Sequence, residues 1–146
     1  MTDALLAFGT QNMLIVDDDP MVQEILGEHY QSLGYHVDYA AEGGAALAAM
    51  ERRLPDIVLC DRVMPGVSGA KFLGEIRSRG DAWRKVIFVF VTALTDRRDR
   101  YAMLPLEPDG YIDKPVNLQR ADQLLANILS ARRSPAGSSP TGEAAG

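Results

Sequence analysis

The sequence predicts an α/β sandwich in which a parallel five-stranded sheet carries helices on both faces. Three observations predict it. Short, apolar, largely β-branched runs recur, among them Ile57–Cys60 and Val86–Val91, and such runs read as strands buried on both faces. Stretches of helical periodicity separate them in strict alternation, an order that implies parallel pairing through crossovers. The 146 residues have the length of one domain, with core enough to fold without staples.

Each element has its own signal. Residues 1–11 lack periodicity and are expected to form a flexible arm. Met13–Val16 is the first strand and runs into Asp17-Asp18-Asp19. Pro20 then opens a helix at its first position with Asp19 as N-cap. Val22, Ile25, Leu26, His29 and Leu33 form its inward face, and Gly34 stops it. A single histidine on such a stripe is a core or boundary residue rather than a ligand. Residues 36–40 alternate weakly, as an edge strand does, and Gly43–Leu54 is an alanine-rich helix ended by Pro55. After Ile57–Cys60, a helix marked by Gly69, Phe72, Leu73 and Ile76 closes at Gly80. Trp83 should cover a core edge in the next connection. Val86–Val91, the most hydrophobic run, is expected at the sheet centre. A short helix from Asp96 is limited by Pro105 and Pro108. Gly110–Asp113 is the last strand, and Asn117 caps a final helix carrying Leu118, Ala121, Leu125, Ile128 and Leu129. From Ser134 the Ser/Pro/Gly/Ala composition suits a disordered tail or linker, which leaves 12–133 as the folded domain. The arrangement is the flavodoxin-like, doubly wound (βα)5 three-layer sandwich with strand order 2-1-3-4-5.

Composition excludes several classes. A hydrophobic content of 47% with 24% charged residues is that of a soluble domain, and no apolar run approaches the roughly 20 residues of a membrane span. A net charge of −5 argues against a nucleic-acid surface on this domain. The N-terminus has no positive segment of the signal-peptide kind. The single cysteine, Cys60, excludes an internal disulfide framework and fits a reducing cytoplasm. It reads as a core residue rather than a reactive thiol.

The strand ends carry the chemistry. They supply Asp17, Asp18, Asp61, Thr92 and Lys114 to the edge where open α/β sheets bind ligands. Singly, each is a cap or a solvated loop residue. Together they are harder to dismiss. Two carboxylates about 4 Å apart repel by about 4 kcal/mol at an effective dielectric near 20. Three of them therefore want a hard, oxygen-seeking cation or a shared proton. With no Cys/His set available, Mg²⁺ fits better than zinc. A hydroxyl and an ammonium beside such a cluster make a phosphoryl-transfer arrangement.

Four motifs in order now resemble one family. Met13-Leu-Ile-Val-Asp-Asp-Asp-Pro20, Asp61-Arg-Val-Met-Pro-Gly-Val-Ser-Gly69, Val91-Thr-Ala93 and Gly110-Tyr-Ile-Asp-Lys-Pro115 are similar to the receiver domain of two-component response regulators, over about residues 12–132. The resemblance implies that Asp61 accepts a phosphoryl group from a sensor histidine kinase or a histidine phosphotransfer protein. It implies Mg²⁺ held by Asp17, Asp18, Asp61 and the backbone carbonyl of Val63. Thr92 would bond the phosphoryl oxygens, Lys114 would pair with another, and Tyr111 would turn inward as the threonine moves. It also implies a cis Lys114–Pro115 bond. The domain would be a cytoplasmic switch that assists only its own phosphorylation and dephosphorylation. Its output would go to a downstream protein target, with no direct contact to nucleic acid or membrane. Val63 and Leu94, two residues past the acceptor and the threonine, are apolar and would slow loss of the phosphoryl group. The chain departs from the family at Pro105-Leu-Glu-Pro108, where receivers commonly read Gly-Ala. Arg97, Arg98 and Arg100 crowd the preceding helix as a solvated face offset by Asp96 and Asp99. A stand-alone receiver is favoured, because nothing in the chain supplies an output. The alternative is the N-terminal portion of a longer regulator with a DNA-binding or enzymatic domain beyond residue 146.

Overall fold

The computed structural model describes residues 11–93 and 104–133. Their order is β1 (Asn12–Val16), α1 (Pro20–Ser32), β2 (His36–Ala40), α2 (Gly43–Arg52), β3 (Ile57–Cys60), α3 (Gly69–Arg77), α4 (Asp81–Arg84), β4 (Ile87–Thr92), a 3-10 turn (Leu104–Leu106), β5 (Gly110–Asp113) and α5 (Leu118–Arg133). The five strands are all parallel and lie in the order β2-β1-β3-β4-β5, the doubly wound order expected.

The period-two alternation of the strands sorts their side chains into two cores. Met13, Ile15, Ile57, Leu59, Val89 and Val91 point to one face and pack with Leu26 and Tyr30 of α1 and Leu125 and Leu129 of α5. Leu14, Val16, Val58, Cys60, Phe88 and Phe90 point to the other and meet Met50 of α2 and Phe72, Leu73 and Ile76 of α3. Three layers result. Cys60 is fully buried, and burial, with Asp61 and Asp17 nearby, pushes its thiol well up. It is a core residue, as expected.

The helix ends follow the capping signals. Asp19 accepts from the Met21 N–H, with Pro20 at the first helical position, and Leu33 caps the other end. Gly34 follows at a φ of 98°, in the left-handed region open to glycine. Asn117 Oδ1 accepts from the Arg120 N–H at the start of α5.

Three expectations change. Ile25 is 47% exposed while Tyr30 is fully buried, so the inward stripe of α1 runs through Val22, Leu26, Tyr30 and Leu33. β4 has both faces covered but lies fourth; the centre is β3. The helix expected to reach Leu54 ends at Arg52. Trp83 covers the edge of the second core, as expected, from the short α4 within that connection, with the Arg79 guanidinium 4.9 Å from its ring centroid. His29 is a boundary residue, as expected, and its Nε2 lies 2.8 Å from Oδ2 of the buried Asp122. The helix expected from Asp96, with Arg97, Arg98 and Arg100, and the two terminal segments lie outside the described residues. Within Pro105–Pro108, Glu107 takes a φ of 60°, a conformation that L side chains seldom adopt.

Candidate functional site

Parallel register brings the site residues together. Val16 pairs with Cys60, and the next residues along both strands are Asp17 and Asp61. The Asp61 N–H donates to the Val16 carbonyl at 2.9 Å, and the Asp17 N–H to the Ala40 carbonyl at 3.0 Å. On the other side Thr92 pairs with Asp113, and the Lys114 N–H donates to the Thr92 carbonyl at 3.1 Å. Two pairs of strand ends thus deliver carboxylates from one side and an ammonium and a hydroxyl from the other.

The side chains converge. One carboxylate oxygen from each of Asp17, Asp18 and Asp61 lies within 4.8 Å of the others. Asp17 is 2% exposed and Asp61 8%, whereas Asp18 faces solvent. Lys114 Nζ reaches between them, 2.9 Å from Asp17 Oδ2 and 3.2 Å from Asp61 Oδ2. Asp17 Oδ1 accepts from the Asp19 N–H at 2.9 Å and Asp61 Oδ1 from the Val63 N–H at 3.3 Å. Gln23 Nε2 donates to the Asp17 carbonyl at 2.6 Å and ties the loop to α1.

These surroundings set the charges. Burial raises the Asp17 carboxyl above its ordinary value, against the Asp19 N–H and the Lys114 ammonium, which lower it; Asp61 adds to the rise. Burial alone would lower Lys114, but Asp17 and Asp61 outweigh it and hold the ammonium above its ordinary value. The contact from Lys114 to Asp17 Oδ2 is an ion pair outside hydrogen-bond geometry, and this buried oxygen has no hydrogen-bond partner. A buried, unsatisfied carboxylate oxygen among three carboxylates is the donor set that a hard divalent cation completes. The residues fit Mg²⁺.

The remaining expected residues have definite places. Thr92 is buried at the end of β4. Tyr111 is half-buried on β5, its ring stacked on Phe90 at 5.7 Å and 23°. Val63 is 63% exposed. The Lys114–Pro115 bond is cis, as expected. Leu94 lies outside the described residues. Gly69 has a role that its helix-start signal did not reveal. A Cβ there would stand 2.6 Å from the Asp61 carbonyl oxygen and 2.8 Å from Arg62 Cα, so the loop that follows Asp61 folds onto α3 only because this residue has no side chain.

The profile of the response regulator receiver domain matches residues 13–126. The transcriptional regulatory protein KdpE of Mycobacterium tuberculosis is 32% identical over 121 residues, which are 83% of this chain and 50% of KdpE. The chain spans about half the length of the curated relatives it matches. Among solved structures, the receiver domain of a sensor histidine kinase from Pseudomonas aeruginosa PAO1, with a magnesium ion coordinated in its active-site cleft, is 29% identical. It covers 84% of this chain and 99% of its own at a TM-score of 0.74. The chemotaxis response regulator CheY4 of Vibrio cholerae, at 24% identity and a TM-score of 0.75 over 82% of this chain and 98% of its own, shares the fold. Receiver domains are signalling switches rather than classical enzymes. With the profile running from β1 into α5, the chain belongs to the receiver domain family of two-component response regulators.

Proposed function

We propose that Asp61 is the phosphoryl acceptor of this switch, the donor being a sensor histidine kinase or a histidine phosphotransfer protein. The observation that carries the reading is the placement of the Asp61 carboxylate. It lies 3.2 Å from the Lys114 ammonium and beside two further carboxylates at the strand ends. Asp17, Asp18, Asp61 and the Val63 carbonyl would hold Mg²⁺, which when bound supplies positive charge for the phosphoryl oxygens. A carboxylate oxygen of Asp61 attacks phosphorus as the bond from phosphorus to the donor nitrogen breaks, and the imidazole leaves. Lys114 offsets charge on the equatorial oxygens, and the Thr92 hydroxyl donates to one of them. Drawing Thr92 inward opens the space that Tyr111 turns into, which shifts the surface offered to a downstream protein.

An apolar patch beside Lys114 supports a protein donor. Met21 is 67% exposed and Ile25 47%, and with Val22, Pro115 and Val116 they line a shallow groove that also reaches Asp19 and Lys114. That surface suits the apolar face of a partner helix. We assign no nucleic-acid or membrane contact to this domain, which would act in the cytoplasm. Transfer of labelled phosphate from a purified sensor kinase to wild type and Ile25→Glu tests the donor reading. Loss in the variant, with acetyl phosphate still effective, supports it; equal transfer to both opposes the patch.

Lys114 doubles as a competing cation. In Lys114→Met the ammonium no longer pairs with Asp17, and Mg²⁺ is expected to bind about 3- to 10-fold tighter while transfer slows by about 10²-fold. A Mg²⁺ titration followed by calorimetry and a phosphorylation time course measure the two.

The exposed Val63 side chain offers no hydrogen bond to a water approaching phosphorus. The double variant Val63→Asn, Leu94→Glu is therefore expected to lose phosphate several-fold faster than wild type, as followed by phosphate release.

A second reading has its own support. KdpE is about twice the length of this chain and is a transcriptional regulatory protein, which favours a receiver that forms the N-terminal portion of a DNA-binding regulator. Sequencing the reading frame past Gly146 separates this from a stand-alone receiver.

A further inference from the structure

At the opposite end of the sheet from the acidic pocket, one carboxylate gathers donors from several segments. Asp109 Oδ2 accepts from the Phe88 N–H at 2.8 Å and from Arg77 Nη2 at 3.2 Å, and its Oδ1 accepts from Arg132 Nη2 at 3.1 Å. The two guanidiniums reach further. Arg77 Nη1 donates to the carbonyls of Arg84 at 3.0 Å and Val86 at 2.8 Å, and its Nη2 to that of Glu107 at 2.8 Å. Arg132 Nη1 donates to the Lys85 carbonyl at 2.8 Å. The end of α3, the connection from α4 into β4, the turn before β5 and the last turn of α5 thus form one bonded body.

Rigidity follows from the geometry. The planar guanidinium fork fixes direction as well as distance, and the Arg77 and Asp109 side chains are only 13% and 20% exposed, so water and salt screen them weakly. Each charge-assisted bond of the sheltered Arg77–Asp109 pair is worth roughly a tenfold step in an opening equilibrium, and the Arg132 arm, whose side chain is 42% exposed, contributes less. Moving this body breaks several at once, whereas a two-state switch is balanced within a few tenfold steps. Thr92 lies four residues along β4 from Phe88, about 13 Å away.

We propose that the Arg77–Asp109–Arg132 clamp is the fixed pivot of the switch. It keeps the N-terminal ends of β4 and β5 and the last turn of α5 still, so the rearrangement begun at Asp61 is confined to the site end of the sheet. Chain continuing past Arg133 then leaves from a stationary platform. The inference rests on the phosphoryl-switch reading above.

Backbone amide NMR shifts with Mg²⁺, before and after adding beryllofluoride as the phosphoryl mimic, test it. In wild type, shifts are expected at Asp61, Thr92 and Tyr111 and none across 84–88, 107–109 and 129–132. In Arg132→Met, which removes only the outer arm, amides 129–132 should exchange about 3-fold faster and begin to respond to the mimic. In Asp109→Asn the response should also reach 84–88. Wild-type shifts at 129–132 as large as those at Tyr111, or variants that keep the wild-type pattern, would overturn the pivot while leaving the acceptor reading intact. No shift at Asp61 or Thr92 in any protein would overturn the acceptor reading and the pivot's role with it.

Discussion

Asp61→Asn is expected to lose phosphorylation by acetyl phosphate by a factor of about 10³ or more, because the amide is no nucleophile at neutral pH. The same change should stabilise the metal-free fold. Three carboxylates within 4.8 Å face one ammonium, and removing one relieves repulsion worth about 1 kcal/mol after screening, or near 3 °C in the thermal midpoint. Gain of stability with loss of function distinguishes a site that bears electrostatic strain from a residue that merely holds the loop. Calorimetry without Mg²⁺ and a phosphorylation assay with it measure the pair. A lowered midpoint in the variant would show that the Lys114 contact outweighs the repulsion.

Gly69→Ala is expected to damage both fold and site. The new Cβ meets backbone, at 2.6 Å from the Asp61 carbonyl oxygen and 2.8 Å from Arg62 Cα, and backbone cannot swing aside. Either α3 or the loop from Asp61 must shift, at a cost of about 2 kcal/mol. Because the loop carries Asp61, one of the three clustered carboxylates, Mg²⁺ affinity should fall with stability. Gly27 is the contrast. A Cβ there would meet the ring and hydroxyl of Tyr39, but that side chain is 43% exposed and can rotate out. Gly27→Ala should therefore cost far less in urea unfolding and leave Mg²⁺ binding unchanged. Equal losses in the two variants would contradict this account of Gly69.

Much of this was legible in the sequence, for physical reasons. A strand buried on both faces has to be apolar throughout, so β3 and β4 announced themselves, and ligands of open sheets sit where such runs end. Asp17, Asp61, Thr92 and Lys114 are the first polar residues at those ends or directly beside them. The inward face of α1 was less readable because Ile25 and Leu26 are only 100° apart on a helical wheel. Burial chose Leu26 and Tyr30. Hydrophobicity could not rank β3 against β4, since both have neighbours on either side. Least legible were contacts made only by folding. His29 and Asp122 are 93 residues apart, Arg77 and Asp109 are 32 apart, and Asp109 and Arg132 are 23 apart. Each alone reads as an ordinary charged or polar residue, and nothing local pairs them.

Locating the phosphoryl group tests the central claim most directly. Wild-type protein treated with acetyl phosphate, with and without Mg²⁺, is digested and its peptides sequenced by mass spectrometry at a pH that preserves acyl phosphates. The account predicts one phosphoryl group, dependent on Mg²⁺, labile to base and carried by Asp61. A phosphoryl group of equal stoichiometry on Asp17, Asp18 or any other residue, or one acquired on Asp61 without Mg²⁺ at the full rate, would contradict it.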